Sequence, residues 1–213
     1  MDITIIGTGN MARGIGVRAL AGGNAVTLLG HTSSESAEAL AEELRRDAGE
    51  TPVAAGAVGD PIETEAVVLA VPYGAAPDVA ARYAAQLDGK VVVDITNPLN
   101  DTYDGLAETP AGSAAQEIAA AAPGARVVKA FNTTFAGTLV AGQVAGQPLD
   151  VLVASDDGDA KAAVLDLARS GGMRAIDAGP LARSRELEAM GFEHISLQGS
   201  LGTGFASAIK ILA

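Results

Sequence analysis

The sequence has no cysteine and no tryptophan, and aromatic residues make up only 3% of its 213 positions. Without cysteine, disulfides, thiolate nucleophiles and cysteine-based zinc sites are excluded. Two histidines, His31 and His194, are too few for a His-rich metal centre, and no metal is expected. No apolar run reaches the roughly 18 residues of a membrane span. No basic, apolar leader precedes the first strand-like run, so a cytoplasmic protein without membrane association is expected. Cations are also scarce: 14 Lys and Arg stand against 26 Asp and Glu, for a formal net charge of −12. So acidic a surface repels phosphate backbones, and nucleic acid is not an expected partner. No Gly-x-Ser-x-Gly elbow is present, so a hydrolase triad has no support.

Hydrophobic residues make up 48% of the chain, enough for a sizeable core filled by Ala, Val and Leu. Apolar runs at 2–6, 25–29, 66–71, 90–94, 126–131, 150–154 and 173–177 read as strands, with a weaker one near 52–55. Helical spacing over 10–22, 34–47, 77–87, 113–122 and 157–169 separates them. Ser113 to Gln116 reads as a capping box. The polar stretch 100–112 reads as a loop. Strand–helix alternation predicts an α/β fold, Rossmann-like and doubly wound, with a mostly parallel sheet and a small C-terminal helical region. Residues 1–180 are expected to form the dinucleotide-binding domain. Residues 181–213, read as mostly helical with a glycine-rich break near 199–204, are expected to form a lid or dimerisation region. An exposed apolar tail helix points to a homodimer.

Gly7-Thr8-Gly9-Asn10-Met11-Ala12 fits Gly-x-Gly-x-x-Gly/Ala directly after the first strand and opening a helix. Gly7 permits the tight turn, Gly9 lets a pyrophosphate approach the backbone, and Ala12 allows close helix–strand packing. The helix N-terminus then offers free N–H groups and the positive end of its dipole. At the end of the second strand, where NAD sites place a carboxylate, stand His31, Thr32 and Ser33. The lack of an acidic group removes a repulsion against a 2′-phosphate, so NADP(H) is favoured over NAD, with Arg13 within possible reach. An ordinary polar loop with an N-cap serine is the competing reading. Val71-Pro72, Asn97-Pro98 and Asn132-Thr133-Thr134 each follow a strand, where α/β sheets bind ligands. Asp156 and Asp157 read as a helix N-cap pair, His194 as packed and Asp94 as a strand end. No catalytic acid, base or nucleophile is assigned, which fits hydride transfer, a reaction governed by ring positioning.

The Gly7–Met11 loop, Val71-Pro72-Tyr73, the strand end Ala130–Thr134, Asp177-Ala178-Gly179-Pro180-Leu181 with Ser184-Arg185, and Ile209-Lys210-Ile211-Leu212 resemble the NADPH-dependent coenzyme F420 reductases along nearly the whole chain. Relatives of that family include the cytosolic domains of metalloreductases. The resemblance implies hydride transfer between NADP(H) and the deazaflavin coenzyme F420. It implies that Thr8 to Met11 contact the pyrophosphate, that His31, Thr32 and Ser33 read the 2′-phosphate, and that Val71, Ala75, Asn97 and Ala136 line the rest of the NADP site. It further implies that Asn132, Thr133 and Thr134 face the acceptor ring, with Leu201, Phe205 and Ser207 nearby. Two positions depart from the family pattern: His31-Thr32 replaces an Arg-containing pair, and Asn132 replaces a histidine. Another small-molecule acceptor (a flavin, a ferric chelate, or a carbonyl or imine) therefore stays open, as does a non-catalytic NADP(H)-sensing module.

Overall fold

Each apolar run is too short and too β-branched to bury itself as a helix, and each is followed by an amphipathic segment that can cover it. A computed structural model of the chain describes residues 1–30 and 33–212. The elements follow in order as β1 (Ile3–Ile6), α1 (Asn10–Ala21), β2 (Val26–Gly30), α2 (Ser34–Arg45), β3 (Val53–Ala57), β4 (Ala66–Leu69), α3 (Ala76–Leu87), β5 (Val91–Asp94), α4 (Ala114–Ala121) and β6 (Arg126–Lys129). Then come α5 (Ala136–Ala141), a hairpin of β7 (Gln143–Val144) and β8 (Gln147–Pro148), β9 (Asp150–Ala154), α6 (Gly158–Ser170), β10 (Arg174–Gly179), α7 (Ser184–Ser196) and α8 (Gln198–Leu201). Short 3₁₀ turns at Tyr73–Ala75 and Leu181–Arg183 precede α3 and α7.

The main sheet has eight strands in the order β10-β9-β6-β5-β4-β1-β2-β3. From β3 to β6 every pairing is parallel, and only the β6–β9 junction is antiparallel. The order reverses between β1 and β4, which makes their carboxyl ends the topological switch point of a Rossmann sheet. Side-chain alternation along the strands sorts the core into two layers. Ile3, Ile5, Ala66, Val68, Val91 and Val93 pack with Ile15 of α1, Leu40 and Leu44 of α2 and Val164 of α6. Ile6, Val67, Leu69 and Val92 pack on the other face with Val79 and Tyr83 of α3 and Ile118 of α4.

Helix starts follow the expected caps. Ser113 accepts a hydrogen bond from Gln116 N, 3.2 Å away, at the head of α4. Asp157 caps α6 by accepting from Ala160 N at 2.8 Å. Neither needs a metal, and the described residues hold no cluster of three or more metal-ligating side chains. The segment 100–112 contains no helix or strand.

The tail is helical up to the glycine-rich break, and only the stretch after it departs from the sequence reading. Helix runs only to Leu201, and residues 202–212 are not helical. Gly202, Gly204 and Phe205 all take positive φ, at 62°, 57° and 63°, which breaks the helix and turns the chain back. The returning strap is held by Asp150, which accepts from Lys210 Nζ at 2.5 Å, Ile211 N at 2.8 Å and both arms of Arg174 at 2.9 and 2.6 Å. Burial pushes the Asp150 carboxyl up, but these donors outweigh it and hold its pKa at about 2. A depressed carboxylate pKa contributes stability above the unfolded value, near 3.8, which is lost as pH falls towards 2. Asp150→Asn should therefore lower the Tm at neutral pH and flatten the fall in Tm between pH 4 and pH 2. Limited proteolysis should cut its strap first; a strap as resistant as the wild type's would contradict the clamp.

Candidate functional site

Gly7 ends β1 with φ 120°, and a Cβ there would collide with the carbonyl oxygen of Ala70. Its N–H donates to Leu29 O at 2.9 Å, so the turn is pinned between the ends of β2 and β4. Gly9 is the N-cap of α1, exposed, and a Cβ on it would meet nothing within 4 Å. The first turn of α1 carries no acidic residue. The positive end of the α1 dipole therefore carries no acidic side chain of its own to oppose an anion. Ala12 is fully buried against the sheet. Thr8 Oγ1 donates to Ser36 Oγ at 3.2 Å, joining the loop to the head of α2, where Ser33 caps by accepting from Ser36 N at 3.4 Å. His31 and Thr32 lie outside the described residues. Arg13 is engaged by an ion pair with Glu43 of α2.

The other predicted positions gather along the same sheet edge. Val71 is buried and Pro72 exposed, and Ala75 N donates to Pro72 O at 2.9 Å in the turn that starts α3. Asn10, Met11, Arg13, Ala136 and Phe205 line one cleft of about 480 Å³ together with Phe135 and Gly137. Phe205 comes from the strap. Its ring meets Phe135 edge-on with centroids 5.0 Å apart, and Phe135 lies 4.2 Å from the His194 ring. Leu201 ends α8, half exposed, outside that cleft. Pro98 lines a second cleft, of about 660 Å³, with Thr109, Arg185 and Glu188 among its walls.

After β6 the chain is held in a costly conformation. Phe131 is buried with φ 63°, a left-handed value that a bulky residue rarely adopts. Thr134 stabilises it by donating its hydroxyl to Phe131 O at 2.7 Å. The Thr133 carbonyl lies 3.3 Å from His194 Nδ1, and His194 Nε2 lies 2.9 Å from Ser207 Oγ. Burial lowers the pKa of His194, so the ring is neutral at neutral pH and bridges the β6 end to the strap. Asn132 is buried and shares two hydrogen bonds, each 2.9 Å, with Asn97 at the end of β5.

Beneath these strand ends lies a charge cluster that sequence reasoning does not find. Lys129 Nζ, fully buried, donates to Asp94 Oδ2 at 2.7 Å, Glu188 Oε1 at 2.8 Å and Thr96 O at 2.5 Å. Burial pushes the Glu188 carboxyl up against the pull of Lys129. Glu188 also accepts from Ala114 N at 3.1 Å, so α7, α4, β5 and β6 meet on one ammonium. The signal in the sequence was a lone lysine and a lone aspartate in otherwise apolar strands. Tyr73 is a second omission. Its hydroxyl donates to Glu117 Oε2 at 2.7 Å, and burial with that carboxylate pushes its pKa up to about 12.

Comparison with known proteins places the chain among named relatives. Residues 2–98 match a family model described as NADP oxidoreductase, coenzyme F420-dependent. The chain is 32% identical over 203 residues to the F420-dependent NADP reductase of Methanocaldococcus jannaschii, spanning 89% of each chain. It is 31% identical to the metalloreductase STEAP3 of Rattus norvegicus, over 88% of this chain but 36% of that one. A solved structure from Arthrobacter sp. FB24, described as a candidate F420-dependent NADP-reductase, superposes with a TM-score of 0.83 over the whole of both chains at 29% identity.

Proposed function

This chain belongs to the F420-dependent NADP reductases, and from that premise we propose that it transfers a hydride between NADP(H) and the deazaflavin coenzyme F420. The observation that carries the reading is the open space above Gly9 at the switch point, followed along α1 by Asn10 and Met11, which line a cleft with Ala136 and the strap residue Phe205.

The residues present fit the dinucleotide. A cradle that a Cβ would enter lies at the N-terminus of a twelve-residue helix with no acidic group in its first turn. Gly7, Thr8, Gly9, Asn10 and Met11 would hold the pyrophosphate. His31, Thr32 and Ser33 would read the 2′-phosphate. Val71, Pro72, Ala75, Asn97, Pro98 and Ala136 would border the rest of the chain of groups leading to the nicotinamide. Thr133, Thr134, Phe205 and Ser207 would border the acceptor, with Leu201 at its outer margin. When both partners are bound, the nicotinamide supplies or accepts the hydride and the deazaflavin is its counterpart.

The protein's own contribution is positioning and exclusion of water. The Phe131–Thr134 turn and the His194–Ser207 bridge set the distance between the β6 end and the strap. Residues 1–180 serve as the dinucleotide domain and 181–213 as its cover. Exposed Leu197 and Leu201 offer an apolar surface for a homodimer, and a cytoplasmic location fits both cosubstrates.

Steady-state turnover tests the reading. Purified protein should oxidise NADPH at 340 nm only when F420 is added, with at least about tenfold lower kcat/KM for NADH, a loss of roughly 1.4 kcal/mol for the missing 2′-phosphate contacts. Equal rates with NADPH and NADH would overturn the cofactor preference. Tight NADPH binding without F420 reduction would overturn the acceptor.

A further inference from the structure

We infer that Glu188 is a catalytic residue of this reaction, its carboxyl giving the acceptor the proton that must accompany the hydride, and that Lys129 and Asp94 are positioning residues that keep that carboxyl loaded. The inference rests on the hydride-transfer reading above.

A hydride brings one hydrogen and two electrons, so the neutral reduced deazaflavin takes up one proton besides. The charges around Glu188 fit that need, because they do not balance by themselves. Lys129, Asp94 and Glu188 are each at most 2% exposed. One ammonium faces two carboxyls, Asp94 at 2.7 Å and Glu188 at 2.8 Å. Were both ionised, a surplus negative charge would be buried, and a proton on one of them removes it.

Hydrogen bonding decides which one. Asp94 uses both oxygens, Oδ1 accepting from Thr96 N at 2.8 Å and Oδ2 from Lys129. Glu188 takes its two bonds, from Lys129 and from Ala114 N at 3.1 Å, on Oε1 alone. Its Oε2 has no partner among the described residues and is not sealed from solvent. The proton therefore sits on Glu188 Oε2, and burial, which pushes this carboxyl up, agrees.

Glu188 is also a wall of the cleft of about 660 Å³, shared with Pro98 beyond the end of β5. Its neighbour Leu187 accepts from Asn132 Nδ2 at 2.8 Å, so this turn of α7 lies against the β6 end placed beside the acceptor above. Arg185 and Glu108 line the same cleft, and Tyr73, bonded to Glu117, lies within electrostatic reach of Glu188. In the forward step Glu188 gives up its proton, the O–H bond breaking with its electrons left on oxygen, as the hydride leaves NADPH with its bonding pair. The acceptor gains H⁻ and H⁺, NADPH becomes NADP⁺, and the Glu188 carboxylate is left paired with Lys129. Solvent in the cleft restores the proton. In reverse, the carboxylate takes a proton from the reduced acceptor.

Glu188→Gln keeps an oxygen for Lys129 and Ala114 N, so it should melt near the wild-type temperature and bind NADPH with unchanged affinity. Its kcat for F420 reduction should fall about 100-fold, the low end for loss of a positioned acid. In the wild type the rate of F420 reduction should fall, and that of the reverse reaction rise, as pH climbs through the pKa of this carboxyl; Glu188→Gln should lose both limbs. Infrared spectra of the protein alone should show a protonated-carboxyl band that persists above the ordinary glutamate pKa of 4.5 and is absent from the variant. Wild-type kcat and pH limbs in the variant, or no such band in the wild type, would overturn the inference. So would a lower kcat with both pH limbs kept, the mark of a merely structural residue. Wild-type protein that binds NADPH but never reduces F420 would overturn the hydride-transfer reading and the catalytic role with it, whereas each failure named before leaves wild-type F420 reduction intact.

Discussion

Gly9→Val should lose at least about 100-fold in NADPH affinity while melting close to the wild-type temperature. Position 9 has φ −80° and ψ −177°, an extended conformation that valine favours, and a Cβ there touches no protein atom within 4 Å. The fold therefore tolerates the substitution. A phosphate does not, because the isopropyl group would stand where the anion must approach the first N–H groups of α1. Losing two charge-assisted hydrogen bonds at about 1.5–3 kcal/mol each exceeds the roughly 2.8 kcal/mol of a 100-fold change. Calorimetric titration with NADPH checks it, and unchanged affinity would refute the glycine-loop site. Gly7→Ala differs in kind: its positive φ and the Ala70 carbonyl make it a folding variant.

Lys129→Met should destabilise the protein by about 3–5 kcal/mol, the usual cost of leaving a buried charge without its partner. For a chain of this length that is a Tm lower by roughly 6–20 °C. Methionine keeps the length of the side chain and fits the apolar strand, but Asp94 and Glu188 stay buried without a cation. Burial already raises the Glu188 carboxyl, and without Lys129 nothing pulls it back down. Stability from a raised carboxyl is present below its unfolded pKa and lost as pH rises through the folded one, so the deficit should shrink as pH falls from 8 towards 5. Thermal melts at the two pH values measure it. An unchanged Tm, or a deficit that grows in acid, would mean that the cluster does not join the sheet to α7 in the way its geometry indicates.

The sheet was legible because its signals are local. The runs at Ile3–Ile6, Ala66–Leu69 and Val91–Asp94 are mostly apolar and fully buried, as strands covered on both faces must be, and the glycine-loop pattern of Gly7–Ala12 lies within six residues of sequence. The helical part of the tail and its glycine break were legible too, but the course of the chain after the break was not. Its course depends on Asp150, some sixty residues earlier, and on positive φ at Phe205, neither of which spacing reveals. Lys129 with Glu188, and Asn97 with Asn132, are joined across 59 and 35 residues of sequence, so their pairing exists only once β5, β6 and α7 are in place. Gly191 reads as an ordinary small residue until α7 is set against the Asn97 amide. The hydride acceptor was legible through resemblance alone. No spacing of residues encodes a deazaflavin as the Gly7–Ala12 loop encodes a pyrophosphate.

Transfer of label is the most direct test of hydride exchange between the two cosubstrates. NADPH carrying deuterium at the transferable position of its nicotinamide C4 is incubated with the protein and F420, and the reduced F420 is weighed by mass spectrometry. Direct transfer gives reduced F420 heavier by one mass unit, with no label lost to water. Reduced F420 without deuterium, or no reduction of F420 beside intact NADPH binding, would contradict the assignment.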